Sequence, residues 1–243
     1  MPLHIERRDR VAILTLDDPD RRNALSPDLV DEIIAAVTEC EADDGVGALV
    51  VTGAPPAFCS GADVSALKSM SGRDASDVRA IYDGFLSVRA SSLPTVAAVN
   101  GPAVGAGFNL ALCCDVRIAG ASARFDARFA RIGLHPGGGH VWMLEREVGP
   151  QATAAITLFG ERVDAARAAE LGLVWRTVPD EQSLDDAVEL AAAGAALPRD
   201  LAAAVKATLR EAPWQPDFES AVQTELARQK VTFEQGGGSS PLR

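Results

Sequence analysis

The feature that most constrains the fold is a recurring order. A short apolar run breaks into a loop of glycine, proline and small residues, which then opens into a segment with helical spacing. "VAILTLDDP" (residues 11–19) alternates apolar and polar positions and stops at Asp-Pro, the pattern of a half-buried strand. "SPDLVDEIIAAVTEC" follows, with Ser26 placed to cap a helix and Pro27 at its first position. "GALVVTGAPPAFCSGAD" repeats the theme, and residues 74–91 read as an amphipathic helix. "PTVAAVNG" is a further buried strand, residues 106–114 form a helix rising straight from "GPAVGAG", and "DVRIAG" is the next strand. Strands alternating with helices predict an α/β core whose loops gather at one end of the strands.

From about residue 140 the pattern turns helical, through "HVWMLEREVG", "QATAAITLFG", "DAARAAELGLV", "SLDDAVELAAAGAAL", "RDLAAAVKATLREA" and "FESAVQTELARQKVTF", with "VWRTVP" as a lone strand. Alanine-rich faces with charges opposite suit packing on other helices, including those of other subunits. The reading divides the chain into a core (1–194), a C-terminal helical oligomerisation region (195–233) and a low-complexity, disordered tail (234–243).

At 243 residues the chain can fill one sizeable core. Its 23 Lys and Arg against 34 Asp and Glu give a net charge of −11 with no basic stripe, which argues against a nucleic-acid partner. An anionic small molecule stays possible, because single arginines and helix N-termini hold phosphate in acidic proteins. Cys40, Cys59, Cys113 and Cys114 lack metal or redox spacing and read as buried thiols, and no cofactor of the protein's own is expected. With neither a signal-like start nor a membrane-length apolar run, a cytoplasmic location with no membrane partner is expected.

Two loops carry the candidate chemistry. "AFCSGADV" (57–64) leaves a strand and leads toward a helix beginning near Asp63, where unpaired N–H groups and the helix dipole suit an oxyanion or phosphate. "VNGPAVGAGFNLALCCD" (99–115) has the same logic. It fails the dinucleotide fingerprint, because Leu110 stands where a third glycine or alanine belongs. Together the loops can aim two backbone donors at one carbonyl oxygen and stabilise an enolate.

"RRNALS" (21–26), "AFCSGADV", "AAVNGPAVGAGFNLALCCDVRIA" and "GLHPGGG", in this order, resemble the crotonase (enoyl-CoA hydratase/isomerase) superfamily over about residues 8–233. The resemblance implies an α/β fold, a crotonase-like spiral of ββα units followed by a helical trimerisation region. It also implies assembly as a homotrimer or dimer of trimers and an acyl-CoA thioester as ligand. The implied oxyanion donors are the N–H groups of Ala62 and Ala106. Arg22 and Ala24 match the segment along the CoA phosphates and adenine, and Ser60, Gly61, Asp63 and Val64 match the opposite wall. Gly105, Asn109 and Phe129 fall at the acyl group.

The departures fall on the catalytic groups. Family hydratases carry glutamates where this chain has Asn109 and Phe129. Asn exchanges no proton near neutral pH and Phe has none, so two-glutamate hydration is not expected. His140, after "PGGG", is the replacement acid/base, or else a helix-capping or core-edge histidine. His135 reads as structural, and Asp126 with Arg128 as a surface ion pair. The leading expectation is a family protein that holds a thioester enolate in an oxyanion hole with non-standard or weak hydratase or isomerase chemistry. The alternative is a non-catalytic acyl-CoA binding or sensor protein.

Overall fold

The structure is a computed structural model that describes residues 2–62 and 75–234. Its centre is a six-stranded sheet in the order β1-β2-β3-β4-β6-β9, formed by β1 (Leu3–Arg8), β2 (Val11–Leu16), β3 (Ala48–Gly53), β4 (Thr95–Val99), β6 (Val116–Gly120) and β9 (Arg176–Val178). All pairs are parallel except β1 with β2. The parallel run follows from the helices between strands, since a chain that returns through a helix re-enters in the same direction.

Alternation along the strands sends side chains to two cores. Leu14, Leu16, Leu49, Val51, Ala97 and Val99 face one way. There they meet α1 (Pro27–Ala42), α2 (Ala75–Ala90) and α3 (Ala106–Cys113). Val11, Ile13, Ala48, Val50, Val96, Ala98 and Ile118 face the other, against Ala187, Ala191 and Ala195 of α6 (Ser183–Ala195). α1 begins as its sequence dictates: the Ser26 hydroxyl accepts from the Leu29 N–H, with Pro27 just inside the helix.

Ahead of β2, the first strand expected from the sequence, lies β1, an edge strand whose Glu6, Arg7 and Arg8 lie at the surface or close to it. Charged side chains suit an edge, which they protect from further pairing, and they also disguise it as a loop. A second sheet of β5 (Pro102–Val104), β7 (Arg124–Asp126) and β8 (Val163–Asp164) also went unread, its strands being only two or three residues long. That sheet matters for the site, because β5 leads directly into Gly105 and α3.

The expected C-terminal helices are α4 (His140–Thr157), bent at Gly149 before Pro150, then α5 (Ala165–Glu170), α6, α7 (Arg199–Glu211) and α8 (Phe218–Glu234). α7 is tied to the core. The buried Lys206 ammonium bonds the Leu93 carbonyl and pairs with Asp115 at 2.7 Å. Trp214 stacks on Trp142 of α4, with the Arg146 guanidinium 3.7 Å and 4.4 Å from the two ring centres. Leu209, Phe218, Leu226 and Phe233 of α7 and α8 remain exposed. Residues 235–243 of the expected tail lie outside the described residues.

Candidate active site

The first wall is a zipper between two loops. The Ser60 N–H donates to the Arg22 carbonyl at 2.9 Å, the Leu25 N–H to the Gly61 carbonyl at 2.8 Å, and the Ser60 hydroxyl to the Arg21 carbonyl at 2.9 Å. Asn23 locks this arrangement from behind. Fully buried and in the left-handed region at φ 58°, it donates through Nδ2 to the carbonyls of Ala54 and Ala57 and accepts from the Asp18 N–H. The asparagine of "RRNALS" is therefore the cross-link that holds Arg22 and Ala24 beside Ser60 and Gly61. Arg22 is exposed and Ala24 is buried. Asp63 and Val64, read from the sequence as part of this wall, lie outside the described residues.

The two backbone N–H groups expected from the sequence as oxyanion donors lie at the second loop. A β-carbon at Gly61 would stand 3.6 Å from the Ala106 nitrogen, so the peptide leading to Ala62 lies against the start of α3. Ala106 is the first residue of that helix, and its N–H has no acceptor within it. At Ala62 the ladder bond is made by the neighbouring Gly61 carbonyl. Neither N–H meets an acceptor among the described residues. Gly105 turns the chain into α3 at φ 55° and ψ −116°, a conformation closed to residues with a β-carbon. Gly107 is small for another reason: a β-carbon there would overlap the Cys59 carbonyl oxygen. The small residues of "GAGFNL" thus serve both the open face of the loop and the packing behind it.

Asn109 is not open to the site. Only 1% exposed, it donates through Nδ2 to the Gly137 carbonyl at 2.9 Å, which fixes the amide and leaves Oδ1 facing His140 Nδ1 at 2.8 Å. Oδ1 can only accept, so the His140 proton sits on Nδ1 and Nε2 carries a bare lone pair. Among the described residues Nε2 is buried without a partner, and the rings of Phe108 and Phe129 present edge contacts to the imidazole at 5.3 Å and 5.2 Å. Burial pushes the His140 pKa down to about 4. The imidazole is therefore neutral near pH 7, unlike the group of ordinary pKa read from the sequence. Phe129 is half-buried at the same wall.

Tyr82 escaped the sequence reading. A β-carbon at Gly137 would overlap its hydroxyl, and one at Gly138 would crowd Phe85 and stand 3.0 Å from Asn109 Nδ2. Tyr82 is the chain's one tyrosine, half-buried, with its phenol pKa raised by burial. A chemically distinctive residue inside an amphipathic helix reads as core, and its only sequence signal was its rarity.

The ion pair read as superficial is not so. Asp126 is buried, with Arg128 at 3.3 Å, Arg162 at 3.4 Å and Arg131 closer still, and its carbonyl accepts from the Gly105 N–H. The short β7 strand carries it inward beneath the Gly105 turn, which spacing alone did not disclose. His135 is exposed and bonds its neighbour's carbonyl. Cys59 is wholly buried beside Gly107, its thiol pushed up to about 12. Among the described residues no cluster of His, Cys, Asp or Glu could hold a metal ion, and no helix is long and apolar enough to cross a membrane.

A parallel sheet leads into two glycine-rich turns, with the backbone N–H groups of Ala62 and Ala106 between them. The family model for enoyl-CoA hydratase/isomerase matches residues 6–237, and the chain belongs to that family, with the crotonase fold. It is 49% identical over 230 residues to "Probable enoyl-CoA hydratase EchA14" of Mycobacterium tuberculosis, covering 93% of this chain and 88% of the relative. Among solved structures, a Thermobifida fusca YX protein in complex with CoA is 29% identical with a TM-score of 0.87, over 98% of this chain and 95% of that one. A second from the same organism, in complex with acetoacetyl-CoA, is 28% identical with a TM-score of 0.88, over 96% and 95%.

Proposed function

We propose that this chain binds an acyl-CoA thioester and stabilises its enolate. The thioester oxygen lies between the N–H groups of Ala62 and Ala106, and Arg22, Ala24, Ser60 and Gly61 line the CoA path. The observation that carries this reading is the approach of the Gly61–Ala62 peptide to the unpaired start of α3. The CoA-bound structures of its relatives support the ligand class. The reaction differs from two-glutamate hydration, because the floor holds Asn109 and Phe129, which exchange no proton. His140 offers Nε2 as an acceptor but delivers no proton while neutral. Exposed Leu158, Phe159 and Trp175 suit contacts between subunits of a cytoplasmic trimer or hexamer.

A second reading, an acyl-CoA binding protein without turnover, is favoured by the mutual saturation of Asn109 and His140 over an apolar floor. Calorimetry with a panel of acyl-CoAs, followed by mass-spectrometric assay of conversion on the wild type and His140→Ala, separates the two. Turnover in the wild type supports the enzyme, and binding alone supports the carrier. If turnover persists in His140→Ala, His140 is not the catalytic base, and absence of binding refutes both readings.

A further inference from the structure

We propose that Tyr82 is the proton donor to the α-carbon of the bound thioester. This rests on the acyl-CoA reading above and supplies the acid that the floor otherwise lacks. Among the described residues, the other proton-bearing groups at this floor are already committed. Asn109 spends its amide on Gly137 and His140, and the one N–H of His140 is committed to Asn109. Phe129 has no proton to give. Cys59 is sealed, and Asp126 is ringed by arginines.

Tyr82 differs in each respect. Its hydroxyl stands against Gly137, the residue whose carbonyl Asn109 grips, and so borders the glycine turn beside Asn109. Both Tyr82 and Gly137 keep partial access to solvent, whereas Asn109 and His140 have 1% each. Among the described residues the hydroxyl has no hydrogen-bond partner, which leaves its proton uncommitted. The Tyr82 ring packs on Phe85 at 5.7 Å, and Phe85 in turn crowds Gly138, so the phenol is held by its ring and not by its oxygen.

The step balances within the site. The enolate's electron pair forms the new α-carbon–hydrogen bond as the Tyr82 O–H bond breaks, the thioester carbonyl reforms, and the phenolate recovers a proton from water. In reverse, the phenolate removes an α-proton. Exchange of α-hydrogens with solvent must then rise with pH as the phenolate fraction rises.

The test is deuterium incorporation into butyryl-CoA in heavy water, followed by mass spectrometry across pH, alongside calorimetric binding of the same thioester. Tyr82→Phe is expected to bind within about twofold of the wild type and to lose at least about 100-fold in exchange, with the rise toward high pH abolished. Fluorotyrosine, whose phenol is more acidic, can replace the chain's one tyrosine throughout and should move the pH profile downward. A purely structural role would not shift that profile. Exchange in Tyr82→Phe equal to the wild type overturns the assignment, as does an unmoved profile with fluorotyrosine. Binding without exchange in the wild type overturns it while sparing the acyl-CoA reading, and absence of binding overturns both.

Discussion

His140 should make this protein lose stability on mild acidification, and the size of the loss follows from its burial. Its imidazole is neutral in the fold with a pKa pushed down to about 4, against about 6.5 in the unfolded chain. Because the folded value is the lower one, the unfolded chain takes up the proton first. Stability is full above about pH 6.5 and is lost as pH falls toward about 4. Integrating the difference in bound protons, His140 removes about 2 kcal/mol between about pH 7 and about pH 5, a window that lies above the ordinary carboxylate range. The assay is denaturant unfolding followed by tryptophan fluorescence at several pH values and one fixed protein concentration, with His140→Asn as comparison. An asparagine amide places its N–H where the imidazole Nδ1 stands, can still donate to Asn109 Oδ1 and does not titrate. The wild type should lose about 2 kcal/mol more than the variant over the window. If the two lose stability in parallel, the imidazole is not held neutral by the fold and the reasoning fails.

Other outcomes follow from the same geometry. Asn23→Ala leaves the buried carbonyl of Ala57 and the part-buried one of Ala54 without this donor and should cost about 2–4 kcal/mol in the same unfolding assay. Loss of stability below about 1 kcal/mol would show that the two loops hold together without it. Ala106→Pro removes one oxyanion donor at a helix position that tolerates proline, so the melting temperature should hold. Turnover or α-exchange of a bound thioester should fall about 10²- to 10³-fold, and an unchanged rate would remove Ala106 from the oxyanion hole.

The legible parts of the fold were those whose physics is local. Ser26 and Pro27 announce α1, and the apolar alternation of Val11 to Leu16 announces a strand, because caps and periodicity act within a few residues. The β5, β7 and β8 strands are defined by one another and by the Cys59 loop beside β5, all distant in sequence, and Asp126 was misplaced at the surface with them. At the site, the two glycine loops stood out because backbone donors need small residues around them. The reason for Gly107 did not, since Cys59 reaches it from another loop. The state of His140 depends on Asn109, 31 residues away, and on two phenylalanine edges, so the sequence offered only an imidazole of ordinary pKa. Tyr82 was hidden because an aromatic residue at helical spacing looks like core until the glycine opposite it is seen.

The amide of Asn109 also bears on how this site can change. Its nitrogen feeds the Gly137 carbonyl while its oxygen takes the His140 proton, a division that a carboxylate cannot reproduce. A glutamate at 109 has nothing to give Gly137 and would draw His140 toward the charged form that its phenylalanine surroundings oppose. A glutamate cannot replace Asn109 alone without unsettling the glycine turn and the start of α4. The amide and the imidazole therefore form one coupled unit, in which a change at either residue strands a polar partner of the other.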